Sequence, residues 1–483
     1  MLFNSFQYLL FLPAVVVLYW LLPRSWRLPL LLVASYGFYM SWSTTFILLV
    51  LLMTCVNWFV GKGLYRARCW RKLIFGAGVA FNLICLSVFK YANFFLQSAD
   101  AVVRMGSRHD PGWVVNIILP LGISFFTFEF IHYLFEIYHG NKPVDSFVLF
   151  ALFAAFFPTQ IAGPIKRYPD FVAQMQEDKT FKLSYFDEGL PLIVIGLAKK
   201  VLLADNLSVF VQMGMSDPSA FGALETWLFA YAFAFQIYFD FSGYTDIARG
   251  SAMLLGYHIP INFNLPYFAK NISDFWHRWH ISLSTWLRDY LFIPLGGSRQ
   301  GRWQTHRNLF LTMMLGGLWH GASWNFVIWG IYHGLCLILH REFCLWQQSA
   351  TMVLSFFQSR MGMFISQLLT FHVVCIGWIF FRVQNTNWAF AMVKKMVLFK
   401  PIYTQAEQHH FLVLKPDLPV IVPVVLTGVA ILLLTNLPVS ILNDKGVFKR
   451  LPAPLKAAFC TGLIFAIVIF LPSTSQPFIY FQF

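Results

Sequence analysis

"LTMMLGGLWHGASWNFVIWGIYHG", Leu311–Gly334, is apolar enough to lie within a membrane, yet it carries two histidines, His320 and His333. Small residues crowd the first: Gly316, Gly317, Gly321 and Ala322. Such residues let another backbone, or a long thin ligand, approach closely. An ionisable ring inside a membrane marks a functional site by default. His333 falls on a different helical face from His320. It is expected to be structural, hydrogen-bonded to a neighbouring helix.

The rest of the chain agrees with a membrane setting. Of 483 residues, 58% are hydrophobic, 19% aromatic and only 12% charged, against about 25% charged in soluble domains. A soluble chain this apolar could not cover its own surface, so the expected class is an all-α polytopic membrane protein. A spanning helix needs about 20 apolar residues, and several runs are shorter or interrupted by Pro, Gly or charge. The expectation is therefore about eleven transmembrane helices plus re-entrant or interfacial helices around a central funnel or tunnel. Trp227–Phe241 and Ile247–Tyr257 read as separate runs, and Val420–Leu434 as a further one. The polar stretches Asp170–Glu188 and Lys400–Asp417 read as loops. Without repeats or low-complexity linkers, residues 1–483 read as one integral membrane domain.

The net charge is +14, with basic residues in short clusters between apolar runs. These read as topology signals, with the Lys62–Lys72 loop cytoplasmic and the N-terminus outside. Lys166/Arg167 and Lys199/Lys200 are further candidates for the cytoplasmic side. No solvated basic domain exists to bind nucleic acid. The opening residues, Met1–Arg27, read as a retained first span rather than a signal peptide. The seven cysteines are scattered and read as small buried hydrophobes.

Polar groups concentrate in residues 236–334, which is the expected catalytic core segment. Within "QIYFDFSGYTDIARG", Gln236–Gly250, the groups Asp240, Ser242, Tyr244, Thr245, Asp246 and Arg249 read either as an Asp–Arg pair at a helix break or as part of a polar tunnel, with Gly243 weakening the helix by about 1 kcal/mol relative to Ala. "NISDFWHRWHISLSTWLRDYLFIPLGG", Asn271–Gly297, reads as one short amphipathic helix. Trp276, Trp279, Leu283, Trp286 and Tyr290 form one stripe; His277, His280, Ser284 and Arg288 form another. Ser273 is the expected N-cap, and Pro294 with Gly296/Gly297 ends the element. His277, His280 and His320 could ligate a metal, though no carboxylate or thiolate has convincing ligand spacing. They could also relay protons in a transporter. A third possibility is general base catalysis. Burial favours a neutral imidazole, which can take a proton from a hydroxyl attacking a carbonyl.

"FWHRWHISLSTWLRDYLFIPLGG" followed by "GGLWHGASWNFVIWGIYHG" closely resembles the bacterial membrane-bound O-acyltransferase family, in its alginate O-acetyltransferase branch. "FPTQIAGPIKRYPDF" (Phe157–Phe171), "FDFSGYTDIARG" (Phe239–Gly250) and "GWIFFRV" (Gly377–Val383) support the resemblance. It implies a multi-pass enzyme of the bacterial inner membrane. Acetyl-CoA would act as donor substrate on the cytoplasmic side, with no bound cofactor and no metal. The acceptor hydroxyl would serve O-acetylation of an extracytoplasmic exopolysaccharide through partner proteins, with lipid around the bundle. The family's signature histidine matches His320, and its second histidine matches His280. His277 stands where such motifs more often carry Arg, which argues against a catalytic role. Ser284, Arg278, Arg288, Asp246, Asn325 and Trp319 are candidate donor- or substrate-binding residues. The alternatives are a proton-coupled transporter or flippase, or the same acyl transfer to cellulose, peptidoglycan, teichoic acid or lipid. The aromatic tail Gln476–Phe483 is expected to dock in the membrane domain or against a partner.

Overall fold

The computed structural model describes residues 1–106, 114–115, 117–215, 221–348, 351–399, 451–470 and 477–479. Among these, every regular element is helical. The run Val420–Leu434 and the stretch Lys400–Asp417 lie outside the described residues.

The first part of the bundle contains α1 (Phe6–Leu21), α2 (Arg24–Met40), α3 (Ile47–Arg66), α4 (Arg71–Leu86) and α5 (Ala92–Gly106), the last two joined by a wide π-type turn over Ser87–Tyr91. Next come α6 (Ile123–Tyr138), α7 (Phe147–Ala155), α8 (Tyr168–Gln176), α9 (Leu183–Ala198), α10 (Asp205–Met215) and α11 (Ala223–Leu254). The site segment holds α12 (Ile272–Arg278), α13 (Ile281–Leu287), α14 (Arg302–His320) and α15 (Trp324–Gln347). It is followed by α16 (Thr351–Gln358), α17 (Arg360–Arg382), α18 (Thr386–Leu398) and α19 (Ala453–Ile469). Three described helical stretches, Ile47–Arg66, Arg71–Arg104 and Arg360–Arg382, are long and apolar enough to cross a membrane by length and composition. Leu21, Val33, Leu48, Phe59 and Leu339 are exposed on helix flanks, as apolar side chains facing lipid would be. Serines start several helices: Ser5, Ser146 and Ser359 each accept a backbone N–H of the first turn, satisfying a donor that has no partner inside the helix.

Two glycine seams hold the centre. α11 runs unbroken for 32 residues against α9. A Cβ on Gly243 would stand 2.7 Å from the Gly196 carbonyl oxygen, and one on Gly250 would stand 2.5 Å from that of Gly189. Gly243 is therefore not a break: it lets two backbones touch, and the contact outweighs its weak helix propensity. The two runs read apart in the sequence are one helix. In the second seam, a Cβ on Gly317 would lie 2.3 Å from the Phe326 carbonyl oxygen, and one on Gly330 would lie 2.4 Å from that of Met313. This close α14–α15 approach is what the small residues around His320 imply.

The segment Asn271–Gly297 departs from the single helix expected. It forms α12 and α13, separated at Trp279–His280, where His280 takes a left-handed backbone (φ 43°). The N-cap is Asn271, whose side chain accepts the Asp274 N–H at 2.8 Å, and Ser273 sits inside the first turn. The aromatic stripe is real, with Trp276, Trp279, Leu283 and Trp286 buried, but the histidine stripe is broken. Asp170–Glu188 is also less irregular than expected, because α8 and the start of α9 occupy much of it.

Several basic residues read as topology signals are neutralised inside the protein. Lys166 is 1% exposed and pairs with Glu129 at 2.5 Å. Lys200 bridges Asp205 and Asp240, each at 2.8 Å. Lys199 pairs with Asp246 at 2.6 Å. Charge count along a sequence cannot separate these from loop charges, because their partners lie on other helices. Of the cysteines, Cys375 is buried and most are partly so, but Cys69 is exposed.

Candidate functional site

His320 is the last residue of α14, and Gly321 leaves the helix in an extended conformation. Ser323 then caps α15. The imidazole is enclosed by Trp319, Trp329 and Phe381, with ring centroids 5.0, 5.1 and 5.2 Å away. It is not walled off. It lines a cavity of about 180 Å³ with Lys90, Ser124, Phe125, Ala162 and Trp319. Leu119, also on that cavity, is exposed.

His280 is fully buried. Its ring meets Phe241 edge-on at 4.7 Å and the Trp319 indole at 6.3 Å. Trp319 thus packs against both imidazoles. A left-handed backbone at a non-glycine residue costs about 1–3 kcal/mol and persists only where its surroundings enforce it. Here the Ile281 N–H donates to the Asn262 carbonyl at 3.0 Å, and Ser282 Oγ–H donates to Asn262 Oδ1 at 2.6 Å. Ser282 Oγ in turn accepts the Ile165 N–H at 3.0 Å. Segments distant in sequence therefore lock the turn.

Trp319 is itself held in a stack. Phe128 lies between Trp286 at 3.8 Å and Trp319 at 4.9 Å, nearly parallel to both. His333 sits on α15 beyond Trp329, 4.8 Å from it, packed also on Trp276 and Phe275. The hydrogen bond expected for it is not there: neither ring nitrogen has a partner among the described residues. Its close fit beneath Gly377, where a Cβ would come within 2.8 Å of Nε2, makes it a packing residue.

The other candidates divide. Ser284 and Arg288 line a second, mostly apolar cavity of about 270 Å³ with His277, Trp276 and Thr312. Ser284 Oγ–H donates to the Trp279 carbonyl at 3.1 Å, and Arg288 pairs with Asp289 at 2.7 Å. Arg278 is tied to Asp274 at 2.7 Å. Asp246 is held by Lys199, with Arg249 further off at 3.8 Å, and lines neither cavity. The Asp–Arg pair expected in this stretch is thus present only as the looser Asp246–Arg249 contact. Asn325 serves structure: Nδ2 donates to the Val383 and Gln384 carbonyls, fastening α15 to the end of α17. Among the described residues no three His, Cys, Asp or Glu side chains converge as a metal centre would require.

Lys90 is the residue that the sequence reading passed over. Its Nζ donates to the carbonyls of Trp319 (2.6 Å) and His320 (3.2 Å) and to Ser124 Oγ (3.3 Å). The signal for it was a single lysine within an apolar stretch that continues to Phe95. Of the aromatic tail, only residues 477–479 are described, and there Phe478 and Ile479 are buried. Phe478 stacks on Tyr244 at 4.5 Å, and the Ile479 N–H donates to Asp240 Oδ2 at 2.6 Å.

The membrane-bound O-acyltransferase family model matches residues 31–381. A probable alginate O-acetylase, AlgI, of Pseudomonas aeruginosa is 41% identical over 408 residues, covering 83% of this chain and 75% of that protein. The Azotobacter vinelandii protein of the same description is 41% identical over 410 residues, covering 83% and 78%. A peptidoglycan O-acetyltransferase of Helicobacter pylori is 36% identical over 406 residues, covering 78% and 74%. A family match across most of the chain, at this level of identity, decides the assignment: the chain belongs to the membrane-bound O-acyltransferase family and is an acyltransferase.

Proposed function

We propose that the protein is an O-acetyltransferase of a bacterial inner membrane, which it crosses about eleven times around a funnel. It moves an acetyl group from cytoplasmic acetyl-CoA to a hydroxyl acceptor, for O-acetylation of an extracytoplasmic exopolysaccharide of alginate type. The observation that carries this reading is His320 on a cavity wall, with His280 reached across one shared indole. Family membership as an acyltransferase sets the transporter reading aside.

In this mechanism His320 takes the proton of the acceptor hydroxyl as its oxygen attacks the thioester carbonyl. A C–O bond forms and the carbonyl π pair moves onto oxygen. Collapse restores the carbonyl and breaks the C–S bond, and the departing thiolate takes the proton from His320. His280 orients the donor. The second cavity, with Ser284 and Arg288 on its wall, offers the donor arm apolar surface. Extracytoplasmic partner proteins carry the acetyl group on to the polymer. Higher identity and coverage against the alginate-type relatives than against the peptidoglycan-type one favour the former acceptor class.

The test uses inverted membrane vesicles holding the protein as the only copy, given labelled acetyl-CoA. Wild type fixes label as alkali-labile ester. His320→Ala fixes none while reaching the membrane at the wild-type level. Turnover by that variant at the wild-type rate overturns the base assignment.

A further inference from the structure

Lys90 lies within a stretch, Arg71–Arg104, apolar enough to cross a membrane. A cation there is costly, and such residues line functional pathways. Its three hydrogen bonds all go to neutral oxygens, two of them carbonyls at the end of α14. Capping a helix C-terminus accounts for part of this, because the helix dipole favours a cation there. It does not account for the cavity. The same ammonium stands on the wall that His320 lines, beside Ser124. Nor does it account for the π-type turn, Ser87–Tyr91, in the middle of an otherwise regular helix. Such turns are rare and frequently mark functional sites. This one carries Lys90 and also Tyr91, whose hydroxyl donates to the Leu318 carbonyl at 2.9 Å.

We infer that Lys90 is a catalytic residue of the acyl transfer, the cation that holds the carbonyl oxygen as it becomes an oxyanion. The inference rests on the proposed His320 chemistry. As the acceptor oxygen bonds to the carbonyl carbon, the π pair moves to the carbonyl oxygen, and that oxygen displaces the longest of the three contacts, the Ser124 hydroxyl at 3.3 Å. An anion outcompetes a neutral hydroxyl for an ammonium, because attraction between two full charges exceeds that between a charge and a dipole. The firm 2.6 Å bond to the Trp319 carbonyl keeps Nζ in place through the step. When the carbonyl reforms and the C–S bond breaks, the negative charge leaves with the thiolate and Lys90 returns to Ser124. The cavity of about 180 Å³ has the room of about six waters, enough for an acetyl group and the attacking hydroxyl.

The experiment measures label fixed as alkali-labile ester against acetyl-CoA concentration, in the same vesicles, for Lys90→Met, Lys90→Arg, Tyr91→Phe and His320→Ala. Lys90→Met is expected to lose about 10²–10³ in maximal rate with KM within about twofold, the usual scale for an oxyanion donor. Lys90→Arg recovers at least about tenfold of that loss, since it keeps a charged donor. Tyr91→Phe removes the neighbouring tie to the same helix end and keeps the wild-type rate. If Lys90→Met fails to reach the membrane, Lys90→Gln, which keeps a donor for the Trp319 carbonyl without charge, replaces it under the same criterion. A near-wild-type maximal rate for the uncharged variant overturns the inference. So does a Tyr91→Phe loss of equal size, or a loss confined to KM. An inert His320→Ala beside a fully active Lys90→Met sinks Lys90 alone. An active His320→Ala sinks the base instead.

Discussion

Gly317→Ala tests whether the α14–α15 seam positions the His320 ring, the proposed base. The added methyl would stand 2.3 Å from the Phe326 carbonyl oxygen and 2.9 Å from Gly330 Cα and N. Ordinary contact begins at 3.4 Å, so the two helices must part by about 1 Å locally. There is no slack nearby, because Gly330 is equally tight against Met313. Overpacking of this kind costs about 1–3 kcal/mol. The position is also less than one turn before His320 on the same helix, and a shift of about 1 Å in a reacting group can cost about 10²-fold in rate. The expected outcome is a lowered melting temperature in detergent and a rate of acetyl transfer reduced by about 10²-fold. Gly76→Ala on α4 is the control: nothing lies within 4 Å of its added carbon, and helix propensity favours Ala by about 1 kcal/mol. Wild-type rate and melting in Gly317→Ala would refute the reasoning.

Three further outcomes are expected. Lys166→Met strands the Glu129 carboxylate in the interior and lowers stability by about 3–5 kcal/mol; adding Glu129→Gln restores much of it, read by thermal melting. Asn262→Ala removes the acceptor for Ser282, costing about 1–3 kcal/mol, and slows acetyl transfer further because the His280 turn loses its strap; a melt and a vesicle assay on the same preparation separate the two effects. Deleting Phe478–Phe483 uncovers Tyr244 and Asp240, so both melting temperature and acetylation fall; unchanged values for both would show that the docked tail contributes nothing.

What could be read from the sequence follows how local each determinant is. The close approach at the α14–α15 seam was legible because the small residues that permit it crowd within a few positions of His320. His320 stood out because an imidazole in such surroundings has few bland explanations. The His277/His280 stripe misled, because helical period alone cannot foresee a break enforced by Asn262. Gly243 misled in the opposite direction: propensity penalises it locally, while Gly196 on another helix rewards it. Lys166, Lys199 and Lys200 looked like loop charges because their carboxylates come from elsewhere in the fold. Lys90 carried only the weak signal of a lone lysine in an apolar stretch, because its partners, Ser124 and the carbonyls of Trp319 and His320, come from elsewhere in the fold.

The wide turn at Ser87–Tyr91 has a genetic corollary. A π-type turn fits one more residue into the path than a regular helix would use. Losing a single codon there would let α4 and α5 fuse into an uninterrupted α-helix while the chain beyond the turn keeps its place. The shortened protein would be built on a more regular rod, so selection for robustness alone should erase the extra residue. Its retention wherever acyl transfer is kept, and its decay where that activity is lost, would register in the gene as an indel rather than a substitution.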